Sequence, residues 1–297
     1  MTPPWAAGTT RAFRFLVNPT SGGGSAPGAA VPVVRALRDA GAAVEVVDSP
    51  GPTGCQALVR DAVAAGEVVV AVGGDGMLSS VAGTLAETGG VLGIVPSGRG
   101  NDFARMLGLP PGPDALAALL LTAAPRTVDL IEAGGRAVLG SVYAGVDSVA
   151  SEIVDRSRRL PGRLQYPYAA VRALLTYTPA SFRVEVDGVA FEQRAATVVV
   201  ANSGYYGAGM QIAPSASLSD GILDVVVVGA ASRLRLVRSM PRLYDGSHVH
   251  LDDVRVLRGR TVSVRSDERV LAYGDGERIA PLPVTATVRP GALQVLA

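Results

Sequence analysis

The chain has 297 residues, enough for one large or two medium-sized domains. Its hydrophobic content of 48% supports buried cores, and its net charge of +1 gives no global field of the kind that attracts nucleic acid. The single cysteine, Cys55, excludes an internal disulfide. All 27 basic residues are arginine, which excludes a Walker A loop, the strand lysine of protein kinases and Schiff-base chemistry. Residues 1–14 lack the apolar core of a signal peptide, so we expect a cytoplasmic protein.

The first part of the chain alternates short apolar strands with helices. This alternation favours an α/β domain built on a doubly wound, mainly parallel sheet. The predicted strands are 13–17, 44–47, 68–72 and 91–95, and the predicted helices are 32–40, 54–65, 78–87 and 114–124, the last with Asp114 as its N-cap.

The third of these strands is followed directly by Gly73-Gly74-Asp75-Gly76. An apolar run bounded by glycine is typical of a strand buried on both faces of a parallel sheet. Glycine lets the backbone turn its N–H groups inward on a phosphate, and a carboxylate beside phosphates suggests a bridging Mg²⁺. The alternative is a plain glycine turn with an exposed Asp75.

Two more glycine-rich loops follow predicted strands, at 18–24 and 96–105. All three loops lie at carboxyl ends of strands, where open α/β sheets bind their ligands. Three such loops at one edge predict a binding cleft and weaken the plain-turn interpretation.

The pattern changes after about residue 126, where strands are separated mostly by turns. This predicts a second, mainly antiparallel β-rich domain with one helical insert at 167–177. We therefore expect domains at 10–127 and 128–297, with a last strand that could return to the first domain. The predicted strands of the second domain are 128–131, 137–142, 182–186, 195–201, 222–228 and 260–265.

Two features carry little chemistry. His248 and His250 alternate as on one strand face, but no cysteine or third histidine nearby supports a metal site. Cys55 on a predicted helix is interpreted as ordinary packing.

Three motifs occur in the order found in the diacylglycerol kinase catalytic-domain family, which includes bacterial lipid kinases and sphingosine kinases. They are Asn-Pro-Thr-Ser-Gly at 18–22, Gly-Gly-Asp-Gly at 73–76 and Gly-Arg-Gly-Asn-Asp-Phe-Ala-Arg at 98–105. Later segments are similar to further family motifs: 128–130, 143–147, 160–166, 220–225 and 275–277. Singly these motifs are weak, but together they cover most of the chain.

The resemblance implies a lipid kinase that uses ATP and Mg²⁺ on diacylglycerol or a related lipid alcohol, within lipid metabolism and phospholipid biosynthesis. It implies that the three loops hold the nucleotide and that acidic side chains hold the metal. The implied nucleotide-binding residues are Asn18, Pro19, Ser21, Gly22, Gly73, Gly74, Gly76, Gly98, Arg99, Asn101 and Glu277, and the implied metal ligands are Asp75, Asp102 and Asp220.

The implied catalytic residues are Asp75, as metal ligand, and Asp275, as the base that accepts the proton of the acceptor hydroxyl. Without the resemblance Asp275 is a turn residue between two glycines, and Asp220 begins an Asp-Gly turn before a strand. Asn101 and Asp102 are about as well explained as a helix N-cap.

Three residues, in two of the motifs, depart from the family pattern. The family usually has threonine and, three residues on, glutamate where this chain has Met77 and Ser80, and threonine where it has Arg99. The sequence therefore leaves open a weak or inactive member that binds lipid or nucleotide. A kinase for a soluble acceptor, similar to NAD kinase, is a further alternative, since NAD kinases and phosphofructokinases share Gly-Gly-Asp-Gly.

An insoluble acceptor requires contact with a membrane surface. We expect reversible, peripheral docking at the inner face of the membrane through arginines that gain free energy near anionic lipid. We expect no nucleic-acid partner, and a homodimer is possible. The arginines predicted to dock are Arg156, Arg158, Arg159 and Arg163, and the alternative is a solvated basic loop.

Overall fold

The computed structural model describes residues 11–156 and 162–297. The chain divides into two compact units. One runs to Val128 and includes Gly291–Ala297, and the other is Asp129–Pro290. Within the described residues, no helix is long and apolar enough to cross a membrane.

The first unit is built on a parallel sheet in the order β2–β1–β3–β4, as predicted. Gln294 and Val295, near the end of the chain, pair with β4, also in parallel. Every residue of β3 is buried, which is the two-sided burial that its apolar run indicates. The strands are β1 (Ala12–Val17), β2 (Ala43–Asp48), β3 (Val68–Gly73) and β4 (Val91–Pro96).

Five helices accompany this sheet. α1 (Ala26–Asp39) packs with α5 (Pro113–Thr122), and α2 (Pro52–Ala64) packs with α3 (Asp75–Thr88). The core on the α1 side joins alternate residues of the strands to one face of α1 and α5. A fifth helix, α4 (Asp102–Met106), is short and follows the loop after β4.

Three expectations for these helices need correction. α1 begins at Ala26 rather than at residue 32, because Ala26 and Ala30 are buried and extend its apolar face across Pro32. α4 was not among the predicted helices, since five residues are too short to show a helical period, but Asn101 is its N-cap residue, the alternative that the sequence offered for that position. Asp114 is not an N-cap: α5 begins at Pro113 with Gly112 as its cap.

The second unit is mainly antiparallel, as predicted. One run of strands has the order β14–β13–β7–β9–β8–β12–β15, and β10 pairs with both β9 and β11. β9 is long enough to pair with β8 through its first half and with β7 and β10 through its second. The strands are β5 (Pro125–Ala133), β6 (Arg136–Val138), β7 (Ser141–Gly145), β8 (Ala180–Val186), β9 (Val189–Ala201), β10 (Leu223–Gly229), β11 (Val254–Gly259), β12 (Thr261–Ser266), β13 (Leu271–Gly274), β14 (Glu277–Pro281) and β15 (Val284–Leu296).

The helices of this unit differ from expectation in number and position. The predicted insert corresponds to α7 (Gly162–Thr176), but α6 (Val146–Arg156) precedes it and was not predicted. The predicted strand at 137–142 is split between β6 and β7, because residues 139–140 form a turn. Two further short helices are α8 (Arg233–Ser239) and α9 (Arg242–Asp245).

His248 lies in a 3₁₀ turn, Ser247–His250, rather than on a strand. It is buried, its Nε2 is 3.0 Å from the carbonyl oxygen of Ile212, and burial lowers its pKa. The described residues contain no group of three or more histidine, cysteine or acidic side chains placed to hold a metal ion.

Candidate functional site

Three loops of the first unit meet at the carboxyl edge of the parallel sheet. The N–H of Asn18, just after β1, donates to the carbonyl of Val72 at 3.2 Å. The N–H of Ser97, just after β4, donates to the carbonyl of Gly73 at 2.8 Å. Parallel strands end at one edge, so the loops predicted separately from the sequence lie side by side.

Ser21 links these loops through its hydroxyl. Its Oγ accepts the N–H of Gly74 at 3.1 Å and donates to the carbonyl of Ser97 at 3.2 Å. The Oγ of Ser25 lies 3.2 Å from the Oγ of Ser97 and adds a second contact. The predicted nucleotide-binding serine therefore has a role in holding the three loops together.

Gly74 and Gly98 bring two of the loops into backbone contact. A Cβ on Gly98 would lie 2.3 Å from the Cα of Gly74, which no side chain can occupy. Gly22, with φ of +60°, approaches the carbonyl oxygen of Ser97, and a Cβ there would lie 2.5 Å from it. The loops need glycine because their backbones touch.

Two asparagines fix the shape of the loops. The Oδ1 of Asn18 accepts the N–H and the hydroxyl of Thr20, at 3.1 and 2.9 Å. The Oδ1 of Asn101 accepts the N–H of Gly98 at 2.7 Å, and Asn101 itself has φ of +53°. Both side chains thus stabilise turns. Pro19, which directly follows Asn18, is exposed.

Asp75 is the first residue of α3 and reaches the start of α4. Its Oδ2 accepts the N–H of Asp102 at 3.1 Å, and its Oδ1 accepts the N–H of Phe103 at 3.0 Å. A carboxylate at a helix N-terminus satisfies N–H groups that lack a partner within the helix. Asp75 therefore anchors the third loop, while Gly76 follows it in the first turn of α3.

The geometry at Asp75 fits a magnesium ion carried by a nucleotide. Each carboxylate oxygen has accepted one N–H and keeps lone pairs for a further bond. Mg²⁺ typically takes one or two carboxylates and completes its shell with phosphate oxygens and water. The Asp102 carboxylate forms an ion pair with Arg105 instead, so Asp75 is the better placed of the two.

The three departures from the family pattern differ in environment. Met77 is buried, with its Cβ near Gly73. Ser80 donates its hydroxyl to the carbonyl of Met77 at 2.7 Å and so is engaged within α3. Arg99 is exposed, next to the contact between Gly98 and Gly74.

Asp275, in the second unit, holds a turn of backbone. Its carboxylate accepts the N–H groups of Leu139, Gly140 and Ser141, at 2.7, 3.0 and 3.1 Å. A Cβ on Gly140 would lie 2.7 Å from Oδ1, so this position also needs glycine. The predicted base therefore also stabilises the backbone at 139–141. Glu277, a predicted nucleotide-binding residue, is exposed at the start of β14.

Asp220 lies in an exposed turn and pairs with Arg258. The Nε of the same arginine is 3.5 Å from the Oδ2 of Asp224, which is fully buried and also accepts the Ser215 hydroxyl at 2.6 Å. Arg258 supplies the positive charge that a metal would bring. These residues therefore do not fit a metal ion as they stand, and a metal at Asp220 would have to displace Arg258.

Asp147 was not among the predicted site residues. Burial raises its pKa to about 6, although hydrogen bonds from Thr197, at 2.8 Å, and Tyr206 lower it. Burial and the nearby Asp147 charge also raise the pKa of Tyr206. A perturbed carboxylate of this kind is common at functional sites. Its signal in the sequence was the segment 143–147, which is similar to a family motif and puts an acidic residue two positions after Gly145.

The predicted membrane arginines are not all described. Arg158 and Arg159 lie outside the described residues, and the side chains of Arg156 and Arg163 are not described either. Docking through these four side chains stays a prediction.

The fold and the three joined loops define a family, and comparison with known proteins agrees. Residues 12–133 match the diacylglycerol kinase catalytic domain, and residues 140–297 match the YegS C-terminal NAD kinase beta sandwich-like domain. The chain belongs to the diacylglycerol kinase catalytic-domain family, as its motifs indicated. Membership of a kinase family implies ATP as co-substrate.

Two curated relatives and one solved structure give the extent of the similarity. The chain is 38% identical to a diacylglycerol kinase of Mycobacterium tuberculosis over 95% of this chain and 93% of that one. It is 30% identical to a "Probable lipid kinase YegS-like" of Pseudomonas putida over 87% of both. A diacylglycerol kinase structure from Bacillus anthracis superposes with a TM-score of 0.71 at 18% identity, covering 97% of this chain and 96% of that one. The two curated relatives support a lipid kinase, and the solved structure supports the fold.

Proposed function

We propose that this protein transfers the γ-phosphoryl group of ATP, with Mg²⁺, to the hydroxyl of diacylglycerol or a related lipid alcohol. The observation that carries the proposal is the set of three loops joined by Ser21 and capped by Asp75 at the carboxyl edge of a parallel sheet. The names of the relatives support the acceptor class.

The loops bind phosphate mainly through backbone. Phosphoryl transfer depends on positioning and on electrostatic stabilisation of the phosphate oxygens. The close contact of Gly74 and Gly98 brings the two loops side by side, since neither residue carries a side chain. The N–H groups of these two glycines are used by Ser21 and Asn101, so we assign phosphate binding to the neighbouring N–H groups of the loops. With no lysine in the chain, Arg99 is the cation next to this contact, and its guanidinium can hold two phosphate oxygens at once.

Asp75 would hold Mg²⁺, which neutralises charge on the phosphates when bound. Asp75 also orients the ion, because its carboxylate is fixed by two N–H groups of α4. We propose that the Asp75 side chain has two functions: it anchors the start of α4 and it is a ligand of Mg²⁺. Asp102 contributes its N–H to this arrangement.

Asp275 would accept the proton of the acceptor hydroxyl. The acceptor oxygen attacks the γ-phosphorus, the bond from that phosphorus to the β–γ bridging oxygen breaks, and ADP leaves with that electron pair. The three N–H groups at 139–141 fix the carboxylate in one orientation. A fixed orientation favours a base.

A member that binds without transfer is the second candidate. Its support is that Met77 is buried and has no hydroxyl, and that the Ser80 hydroxyl is used within α3. Neither side chain therefore replaces the threonine or the glutamate that the family usually has at these positions. Arg99 then decides between the candidates, either by holding phosphate or by filling the space for it.

The test is transfer of radiolabelled phosphate from ATP into a total lipid extract, with and without Mg²⁺. We expect one labelled lipid that depends on Mg²⁺ and is absent with Asp75→Asn. In the same assay with NAD in place of the lipid extract, label in NAD would contradict the lipid acceptor. ATP binding with no label in any lipid would favour the second candidate.

A further inference from the structure

One surface of the second unit combines exposed apolar and basic side chains. On α7, the side chains of Tyr168, Val171 and Leu175 are 40%, 39% and 52% exposed. Their spacing of three and four residues puts them on one face of the helix. Leu234 of α8, which packs against α7, is 59% exposed. These are four of the nine large apolar side chains exposed in the described part of the chain.

The same two segments are strongly basic. Residues 168–176 and 230–243 contain five arginines and no acidic residue, whereas the whole chain has a net charge of +1. The remainder of the chain is therefore net negative, and the positive charge is concentrated beside the exposed apolar side chains. The five are Arg172, Arg233, Arg235, Arg238 and Arg242, all exposed.

Arg172 is held within the apolar stripe. Its Nη1 donates to the Tyr168 hydroxyl at 2.6 Å, and its guanidinium carbon lies 5.9 Å from the centroid of the Tyr168 ring. Tyrosine and arginine side by side suit an interface, because each presents an apolar body and a polar tip. Arg235 is held in turn by Asp253 at 2.9 Å.

A cavity of about 220 Å³ opens between α7 and α8. Leu174, Val146 and Leu236 line its apolar part, and Ser232 and Arg233 add polar groups. The exposed apolar surface therefore adjoins a cavity that is lined by both apolar and polar side chains.

We propose that the α7–α8 face, defined by Tyr168, Val171, Arg172, Leu175, Arg233 and Leu234, docks on the surface of an anionic phospholipid bilayer. Charge complementarity identifies the occupant: arginines gain free energy near anionic headgroups, while leucine and tyrosine side chains enter the boundary of the acyl region. The inference rests on the proposed function for the presence of a lipid acceptor in the membrane. It differs from the sequence prediction in relying on residues after 167.

The test measures sedimentation of the full chain with vesicles, without ATP. Vesicles of phosphatidylcholine alone are compared with vesicles that also contain phosphatidylglycerol. We expect binding only with the anionic lipid. One arginine near such a surface corresponds to about a fivefold change in partition, so Arg233→Glu with Arg238→Glu should lower binding at least tenfold. Leu175→Ser with Leu234→Ser should lower vesicle binding severalfold, because two apolar side chains that would enter the bilayer are lost. Both side chains are exposed, so the hydrophobic core is unchanged.

Matched controls are Val189→Ser, whose side chain is 74% exposed at the start of β9, and Arg136→Glu, exposed on β6. Both should bind as the unaltered chain does. Equal binding to neutral vesicles, or equal losses in the controls, would overturn the proposal. So would a dimer in size-exclusion chromatography that only the α7–α8 variants abolish, since the face would then bind a second copy.

The failure of this inference is distinguishable from failure of the proposed function. A short-chain diacylglycerol that is soluble as a monomer should be phosphorylated equally by all variants. Loss of vesicle binding with normal turnover of this acceptor supports docking, whereas no turnover of any lipid by the unaltered chain concerns the proposed function alone.

Discussion

In both units the candidate acidic side chain is held by backbone N–H groups that donate to its carboxylate. The two units differ in how far along the chain these N–H groups lie. In the first unit the carboxylate of Asp75 accepts N–H groups 27 and 28 residues later. In the second, the carboxylate of Asp275 accepts N–H groups 134 to 136 residues earlier. In both units an acidic residue that we propose for the chemistry is also a backbone anchor, so we expect its removal to change stability and activity together.

The comparison is sharpest at Asp275, because the second unit contains a structural counterpart. Asp187 and Asp275 both have φ of +48°. The carboxylate of Asp187 accepts the N–H groups of Arg260 and Thr261 at 3.0 and 2.8 Å. Asp275→Ala should lower the rate of transfer by roughly a hundred- to ten-thousandfold, the contribution of a positioned base, while ATP affinity changes little. Steady-state kinetics and calorimetric titration with ATP measure the two quantities.

Asp187→Ala is the control for the lost backbone contacts. It should lower the free energy of unfolding by about 1–3 kcal/mol, as Asp275→Ala also should, without a comparable loss of transfer. Equal, modest losses of turnover and ATP affinity in Asp275→Ala would assign Asp275 to structure alone.

In the first unit, Asp75→Asn should lower turnover at least about a hundredfold, because a metal-positioning carboxylate contributes several kcal/mol to the transition state. Asparagine also puts an amide NH₂ toward an N–H of α4, so we expect a loss of about 1–2 kcal/mol in the free energy of unfolding. Kinetics with varied Mg²⁺ and urea unfolding separate these effects. Near-normal turnover in a less stable protein would leave Asp75 as an anchor only.

Asp147 extends the comparison to an acidic residue whose pKa is set mainly by burial rather than by contacts with backbone N–H groups. Its pKa in the folded protein is raised to about 6 from an ordinary value of 3.8. Below both values the group is protonated in both states and its contribution to stability is full. Between them the unfolded chain ionises first, so stability falls as pH rises, by about 3 kcal/mol in total by pH 6–7.

Urea unfolding from pH 3.5 to 7 measures this change against Asp147→Asn, in which the group does not ionise. The difference in free energy of unfolding between the two proteins should vary with pH in favour of the variant at neutral pH. A constant difference across this range would show that Asp147 ionises equally in both states.

Arg99→Ala tests whether the exposed arginine of the third loop binds phosphate. A charge-assisted contact contributes roughly 1.5–3 kcal/mol, so ATP affinity should fall by about tenfold or more. Arg35→Ala, at an exposed arginine of α1, is the matched control and should leave ATP affinity unchanged. Unchanged or tighter ATP binding by Arg99→Ala would mean that the arginine fills the phosphate space instead.

Gly98→Ala tests the smallest element of the comparison, the backbone contact in the first unit. The new Cβ meets the Cα of Gly74, so the loops must separate, at a cost of about 1–3 kcal/mol in stability and with weaker ATP binding. Gly28→Ala is the control, because nothing lies within 4 Å of its Cβ and alanine suits the interior of α1. Unaltered ATP affinity in Gly98→Ala would exclude this contact from the binding site.

The sequence by itself determined the parallel sheet, the antiparallel region after it and the position of the glycine loops. The reason is local: the apolar run of β3 requires burial on two faces, and its terminal glycines mark where the strand ends. Because parallel strands end at one edge, the meeting of the three loops also followed from the sequence. The family motifs added the chemical assignment of Asp75 and Asp275.

Only the tertiary structure decided what those side chains contact. The cap of Asp75 on α4, the backbone contact of Gly74 with Gly98 and the hold of Asp275 on Leu139 each join segments that have no common period. Burial of Asp147 likewise depends on Thr197 and on packing that no local pattern encodes. Hydrophobic periodicity reports which face of an element is buried, whereas a hydrogen bond between distant loops exists only once the chain has folded.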